Sequence, residues 1–241
     1  ELPWFNVGYH ANLSAKEKLM MSHTVAQTAA GAGYAPSRDG IVGKQVLTSS
    51  INQITSFLAS SGSYSSGGEM VVLGWDNSDT HTTNFWEELA SVELGSNNAS
   101  LDSGTFTAKK YLWIQYYTKA NGGNINHTVT FNSDTASNYS RRQNKNGTET
   151  TAINESYISP SVGGSATPSF VNLFIINNSA NEKLVIGSAV SQNTAGADTA
   201  PQRQETADKW ANTSAQITRI TATTTTNTYD TGSFIKVWGS N

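Results

Sequence analysis

Short segments of alternating apolar and polar residues constrain the fold of this chain most. In FTAKKYLWIQYYT, Leu112, Ile114 and Tyr116 fall on one face of an extended strand, and Trp113 falls on the other. Each such segment is bounded by Gly, Asn, Ser or Asp, with no helical periodicity in between. The pattern recurs at residues 68–75, 106–118, 126–131, 170–177, 183–190 and 217–239. It predicts a mainly β protein built as an antiparallel β-sandwich with a jelly-roll-like architecture.

The first 45 residues follow a different pattern, so we divide the chain into two parts. Ser14 followed by Glu17 fits a helix capping box, and it precedes the loosely amphipathic stretch KLMMSHTVAQ. This pattern predicts a helix over residues 15–30. We therefore expect an N-terminal attachment segment at residues 1–45, which packs on the chain's own β domain, on a sister subunit or on a larger assembly, and a β-sandwich domain at residues 46–241.

The chain is polar without being strongly charged. It has 30 Ser, 29 Thr and 23 Asn, while charged residues make up 14 % of the chain, against roughly 25 % in typical domains. Thr favours strands and Asn favours turns, and the aromatic content of 10 % can supply a core. Two especially polar stretches, at residues 76–83 and 192–208, are expected to be exposed loops.

Composition also excludes several functional classes. The net charge is −3 with no Lys/Arg block, which argues against nucleic-acid binding. The absence of cysteine excludes disulfides, thiolate zinc sites and cysteine nucleophiles. No apolar run approaches the ~20 residues that a membrane-spanning helix needs, so we expect no membrane insertion.

Motifs that carry catalysis or bind metal are missing from the sequence. There is no nucleophile elbow, no H-E-x-x-H and no phosphate-binding loop. Asn132, Asp134 and Asn138 could offer oxygens to calcium. An EF-hand loop starting at Asn132 needs Gly and Glu at its sixth and twelfth positions, however, and these hold Ser137 and Gln143. His127 alternates with strand residues and is predicted to be packed. We expect no metal, no cofactor and no enzymatic activity.

Aromatic residues beside polar ones suggest carbohydrate recognition as a second possibility. Trp75, Trp113 and Tyr117 are the candidate ligand-binding aromatics, because aromatic faces stack on sugar rings while amides bind their hydroxyls. The competing interpretation is that these side chains belong to the core or to a subunit interface.

Several motifs between residues 88 and 240 resemble motifs found in a known group of proteins. These are the strand YLWIQYYT, the turn formed by Phe131, Asn132, Ser133 and Asp134 with Asn138 and Tyr139, and a closing strand pair. The closing pair contains Ile217, Ile220, Gly232, Ser233, Phe234 and Gly239. In these features the chain resembles β-sandwich virion structural proteins of tailed phages and other viruses of aquatic microbes.

The resemblance implies a non-enzymatic module on the virion surface: a capsid decoration, a minor capsid protein, or a tail fibre that could bind host glycan. Its partners would be other virion proteins and further copies of itself, as a trimer or pentamer. The turn formed by Asn132, Asp134, Asn138 and Tyr139 would define the fold, with Asn132 and Asp134 bonding nearby backbone and Tyr139 re-entering the core. Three alternatives stay open: a cell-surface carbohydrate-binding adhesin, a self-assembling extracellular filament subunit, and a polysaccharide-cleaving enzyme.

Overall fold

A computed structural model describes residues 2–58, 61–74, 84–123, 125–160 and 167–241. Throughout these ranges the regular structure is β, all strand pairs in the sheets are antiparallel, and no helix is found. The chain begins with a three-stranded sheet in sequential order. Its strands are β1 (Trp4–Ala11), β2 (Lys18–Ala26) and β3 (Ser37–Gln45).

The largest sheet has eight strands in the order β10-β9-β13-β12-β11-β6-β16-β4. This order differs from the order along the chain. For example, β9 and β10 lie at one edge of the sheet and β11 lies three strands away from β9, while β4 lies at the other edge. The strands are β4 (Glu87–Glu93), β6 (Tyr111–Thr118), β9 (Tyr139–Lys145), β10 (Thr148–Glu155), β11 (Ser169–Ile176), β12 (Lys183–Ser191), β13 (Gln202–Trp210) and β16 (Phe234–Ser240).

A smaller layer covers one face of the eight-stranded sheet, and the core lies between them. The smaller layer is a three-stranded sheet in the order β5-β14-β8, accompanied by the two-stranded pair β15-β7. Alternation places Leu112, Ile114 and Tyr116 of β6 in the core, as the sequence predicts. They pack with Val129 and Ile220 from the smaller layer. The strands of this layer are β5 (Ser100–Asp102), β7 (Ala120–Asn121), β8 (His127–Phe131), β14 (Ile220–Thr224) and β15 (Thr228–Tyr229).

The N-terminal sheet lies against the opposite, outer face of the eight-stranded sheet. Val25 of β2 packs with Leu184, Ile186 and Ala207 from β12 and β13 in a second apolar cluster. The connection between β2 and β3 is tied to the same strands by polar contacts. The Lys209 Nζ donates to the carbonyls of Ala29 and Gly31 at 2.7 Å each, and it also pairs with the buried Glu182 carboxylate at 3.2 Å.

The predicted helix over residues 15–30 is wrong, since this region contains β2 and its flanking turns. Ala15 has a φ of 57°, a left-handed conformation that is incompatible with the start of a helix. Lys18 is buried, and its ammonium donates to the carbonyls of Leu13 and Thr48. β2 forms ladders with β1 and β3 on both sides, so tertiary pairing outweighs the local capping signal.

Two further expectations differ from the structure. The stretch 192–208 was expected to be a loop, but β13 begins at Gln202 and is paired on both sides, with β12 and β9. The stretch 68–75 was expected to be a strand, but its described part, residues 68–74, belongs to no sheet. Met70 to Leu73 are exposed there. The loop expected at residues 76–83 lies outside the described residues.

Candidate functional site

The turn after β8 connects the two layers through side-chain hydrogen bonds. Asn132, with a φ of 53°, accepts hydrogen bonds on its Oδ1 from the backbone N–H of Thr218 at 2.8 Å and of Arg219 at 3.1 Å. Its Nδ2 donates to the Gln216 carbonyl at 2.7 Å. Asn132 therefore binds the segment leading into β14, which is distant in sequence, rather than backbone of its own turn.

Asp134 forms the second anchor of the turn. Its carboxylate accepts from the Ala136 N–H at 3.0 Å, the Asn138 Nδ2 at 2.9 Å and the Trp210 Nε1 at 2.7 Å. Burial raises the pKa of this carboxyl, but the hydrogen bonds from Asn138, Trp210 and Ala136 together hold it below its usual value. The carboxylate thus ties the turn to the end of β13.

Tyr139 follows the turn and is fully buried against the ring of Trp210. Its hydroxyl accepts from the Phe131 N–H at 3.0 Å and donates to the Asp134 carbonyl at 3.0 Å. This contact closes the turn across its base. The geometry is that of a structural connection, and its importance for stability stays a prediction.

The two described candidate aromatics lie in a row of rings on the outer face of the large sheet, and Trp75 lies outside the described residues. Trp113 is sandwiched between Phe174, with ring centroids 5.9 Å apart, and Trp238, at 4.8 Å. Tyr117 stacks on Phe234 at 5.8 Å. Neighbouring rings therefore cover both ring faces of Trp113 and one ring face of Tyr117.

A polar cleft opens between the two layers where β8 faces β9 and β13. Its volume is about 310 Å³. The large sheet contributes Arg141, Gln143 and Lys145 from β9 and Gln204 from β13 to its lining. The remaining lining residues are Asn126, His127, Thr128, Tyr157, Ser159 and Thr225.

The cleft exists because one half of the inner sheet face is polar. Residues that lie side by side on neighbouring strands form rows across the inner face of the sheet. Three of these rows are apolar on β6, β11 and β12 and polar on β13 and β9. In one of them, Val185 of β12 is followed by Asp208 of β13 and Arg141 of β9. The next two rows end in Thr206 with Gln143 and in Gln204 with Lys145. A sandwich normally fills such positions with core residues, so their polarity marks a departure of the kind found at functional sites.

Several polar atoms in and beside the cleft are buried without a hydrogen-bond partner among the described residues. These include the His127 Nδ1, one terminal nitrogen of Arg141 and the Asp208 Oδ1. Burial lowers the pKa of His127 to about 4 and raises that of Asp208 to about 7. His127 is thus neutral at physiological pH, with one face of its ring stacked on Tyr229 at 5.6 Å.

Sequence reasoning missed the cleft residues of β9 and β13. Both YSRRQNK and QRQETAD lack apolar residues at alternate positions, so neither segment has the usual signal of a strand. Only the pairing of Arg141 with Asp208 and of Lys145 with Gln204 brings the polar side chains together. A run of polar residues of strand length between two predicted strands is the one signal that could have indicated them.

The N-terminal arm, which we define as residues 2–58 and 61–74, exposes most of the large apolar side chains. Of the 23 exposed large hydrophobic residues in the described chain, 20 lie in this arm. On β2, Leu19, Met20 and Met21 are all exposed. Because successive strand residues point to opposite faces, both faces of the sheet are uncovered at this end.

Two further features are absent from the described ranges. These ranges contain no helix that is long and apolar enough to cross a membrane. Nor do they contain a group of three or more His, Asp or Glu side chains placed to hold a metal ion.

No protein-family model matches the chain, and no curated protein sequence or solved structure is significantly similar to it.

Proposed function

We propose that this chain is a non-enzymatic structural protein of a virion surface, built on a jelly-roll-like β-sandwich and assembled as a homo-oligomer. The proposal names a capsid decoration, a minor capsid protein or a fibre module as its place on the particle. The observation that carries it is the apolar surface of the N-terminal arm, which an isolated monomer would leave in water.

The size of that surface supports assembly with neighbouring copies of the same chain. Twenty large side chains at about half exposure, at on the order of 50 Å² each, amount to roughly 1,000 Å² of apolar surface. One partner in a standard protein interface buries only about 800 Å², and the largest patch on a typical monomer is about 300–600 Å². The arm therefore offers enough apolar area for a stable contact with a neighbour.

Contacts with the rest of the chain hold the arm in a defined position, which a specific assembly contact requires. Its β2–β3 connection is fixed to the body by Lys209, which donates to the Ala29 carbonyl, and by Glu182, which accepts from the Gly31 N–H. Further along, Glu69 forms an ion pair with Lys110, the residue before β6. The β-prone run Met70 to Leu73 follows this pair and has no strand partner in the described parts of the chain, so an edge strand of a neighbouring copy could pair with it.

Composition gives independent support. A shell protein works outside cells in many copies, where thiols would oxidise and large like-charge patches would repel. The chain has no cysteine and few charged residues for its length.

The test is peptide mass spectrometry on density-purified virus particles, with copy number measured against the major capsid protein. We expect the chain in the particle fraction. A few copies would assign it to a tail or fibre, and tens to hundreds to a capsid decoration. Its absence from particles, together with abundance in a cell-surface fraction, would refute the virion assignment.

A pair of matched variants tests the arm itself. Val42, which is 86 % exposed, lies in the arm, whereas Val190, which is 44 % exposed, lies on the body. We expect Val42→Asp to shift the oligomer toward monomer in analytical ultracentrifugation and Val190→Asp to leave it unchanged. Equal behaviour of the two variants would argue against the arm as the assembly surface.

The same arm favours a second candidate, a self-assembling extracellular filament subunit. The two candidates differ in what the purified chain does alone. A filament subunit polymerises without a viral partner, because head-to-tail contacts do not close. A particle protein instead forms a closed oligomer of fixed size.

A further inference from the structure

The structure points to a ligand site in the polar cleft between the two layers, and we propose that it binds an acidic monosaccharide unit through the carboxylate of the sugar. This inference goes beyond the virion role and does not depend on it, because the site lies in the β body and not in the arm.

The charge of the cleft selects an anion. Arg141 and Lys145 line it, and none of its ten described lining residues is an Asp or Glu. One terminal nitrogen of Arg141 is buried with no hydrogen-bond acceptor in the described chain. A buried guanidinium nitrogen with unused donors is costly, and a bound carboxylate would satisfy those donors in the geometry that Arg prefers.

The position of Arg141 is fixed by its surroundings. Its guanidinium carbon lies 5.9 Å from the ring centroid of Tyr157, a cation–π contact. On the neighbouring strand it faces Asp208, which is fully buried. Burial raises the pKa of Asp208 to about 7, so this carboxyl is partly protonated near neutral pH and does not fully neutralise Arg141.

The remaining lining suits sugar hydroxyls. Gln143 and Gln204 present amides on the floor of the cleft, and Asn126 presents another at its rim. Gln204 is held in place, since its Nε2 donates to the Ser159 carbonyl at 2.7 Å and to the Gln143 Oε1 at 3.3 Å. Fixed amides offer both donors and acceptors, which hydroxyl groups need and an inorganic anion does not.

A buried histidine supplies a further unused polar atom. His127 is 3 % exposed and lines the cleft, and its Nδ1 has no partner among the described residues. The cleft volume of about 310 Å³ is at the lower end of ligand sites, which span roughly 300–1,000 Å³. It accommodates a single sugar ring, and this size restricts the proposal to one monosaccharide unit.

The experiment compares three probes that share one ring: methyl β-glucuronide, methyl β-glucoside and methyl β-glucoside 6-sulfate. Binding to the full chain is measured by saturation-transfer NMR and by titration of the side-chain amide signals. We expect the glucuronide to bind at least ~10-fold more tightly than the glucoside, because only the former can pair with Arg141. Raising the salt concentration should weaken the binding of the two anionic probes, the glucuronide and the sulfate, and leave that of the neutral glucoside unchanged.

Two variants distinguish this site from non-specific attraction. Arg141→Gln should weaken glucuronide binding by ~10-fold or more, whereas Arg203→Gln should leave it unchanged, because Arg203 is an exposed side chain on the outer face of the same sheet. If Arg141→Gln fails to fold, the wild-type titration decides: the side-chain amides of Asn126, Gln143 and Gln204 should shift on adding the glucuronide.

Three outcomes would overturn the proposal: equal binding of glucuronide and glucoside, tighter binding of the sulfated sugar, or no shift of these amides at 50-fold excess of glucuronide. None of them bears on whether the chain is found in virus particles, so the two proposals fail separately.

Discussion

Two buried ionisable groups beside the polar cleft should make stability depend on pH in opposite directions. Asp208 is fully buried on the inner face of β13, and His127 is 3 % exposed on β8. Burial is the largest cause of both pKa shifts, since it disfavours the charged form of either group. A carboxyl is charged when deprotonated and an imidazole when protonated, so the two effects have opposite signs.

For Asp208, the pKa rises from 3.8 to about 7 on folding. Below pH 4 the carboxyl is protonated in both states and the folded protein is not penalised. As pH rises from 4 to 7, the unfolded chain releases a proton that the folded chain retains, and the free energy of unfolding falls. A shift of about 3 pKa units corresponds to a loss of about 4 kcal/mol across this window.

For His127, the pKa falls from 6.5 to about 4 on folding. Above pH 6.5 the imidazole is neutral in both states, and its contribution to stability is fully present. As pH falls from 6.5 to 4, the unfolded chain takes up a proton that the folded chain does not, so about 3 kcal/mol is lost. With rising pH, His127 therefore adds nearly as much stability as Asp208 removes.

Urea denaturation at half-unit steps between pH 4 and 7.5, followed by tryptophan fluorescence, tests this balance. We expect a nearly flat profile for the wild type. Asp208→Asn keeps the shape of the side chain, and its free energy of unfolding should rise by up to about 3 kcal/mol from pH 4 to 6.5. His127→Gln should show the opposite slope, a fall of up to about 4 kcal/mol from pH 4 to 7.

The double variant serves as the control, because its profile should be flat again. If either single variant gives a profile parallel to that of the wild type, the group it replaces does not carry the burial penalty. Asp102, Asp134 and Asp230 do not obscure the result, since their hydrogen bonds hold their pKa values below the usual range and they titrate at more acidic pH.

The remaining predictions concern stability at three other places. Asn132→Ala combined with Asp134→Ala should lower the free energy of unfolding by about 3 kcal/mol or more in urea denaturation, since backbone N–H groups lose their acceptors; an unchanged midpoint would show that the turn does not hold the fold. Lys209→Ala leaves Glu182 buried and unpaired, so a loss of about 3–5 kcal/mol is expected, and a loss below 1 would contradict it. Trp113→Ala should cost about 3 kcal/mol and remove the exciton signal of the stacked pair from circular dichroism, whereas a retained signal would place the coupling elsewhere.

The sequence was most informative where a strand has one apolar and one polar face. β6 and β11 alternate strictly, and both were predicted at nearly their observed positions. β13 was missed because polar residues occupy its inner face at Gln204, Thr206 and Asp208, which leaves no apolar alternation to detect. β2 was mistaken for a helix because β1 and β3, the strands that pair with it, have few buried residues and were not predicted as strands.

For the candidate site residues, too, the sequence identified the side chains but not their contacts. The turn residues Asn132 and Asp134 were selected from the sequence, but the partners of Asn132 lie 84–87 residues away and depend on the packing of β14 beside β8. Trp113 was selected for its chemistry, yet its availability depends on Phe174 and Trp238, which only the register of β11, β6 and β16 places beside it. Local motifs identify such residues, and strand order decides what they contact.

The N-terminal sheet explains how the eight-stranded sheet can keep a polar inner surface on β9 and β13. Apart from Tyr139 and Trp210 at one end, these strands lack core packing on the inner side, where Gln204 and Asp208 replace apolar residues. On the outer side, Ala207 packs under Val25, and Lys209 is tied to the connection that follows β2. Packing lost on one face is thus offset on the other, so the N-terminal sheet supports, from the outer side, the strands that form the floor of the cleft.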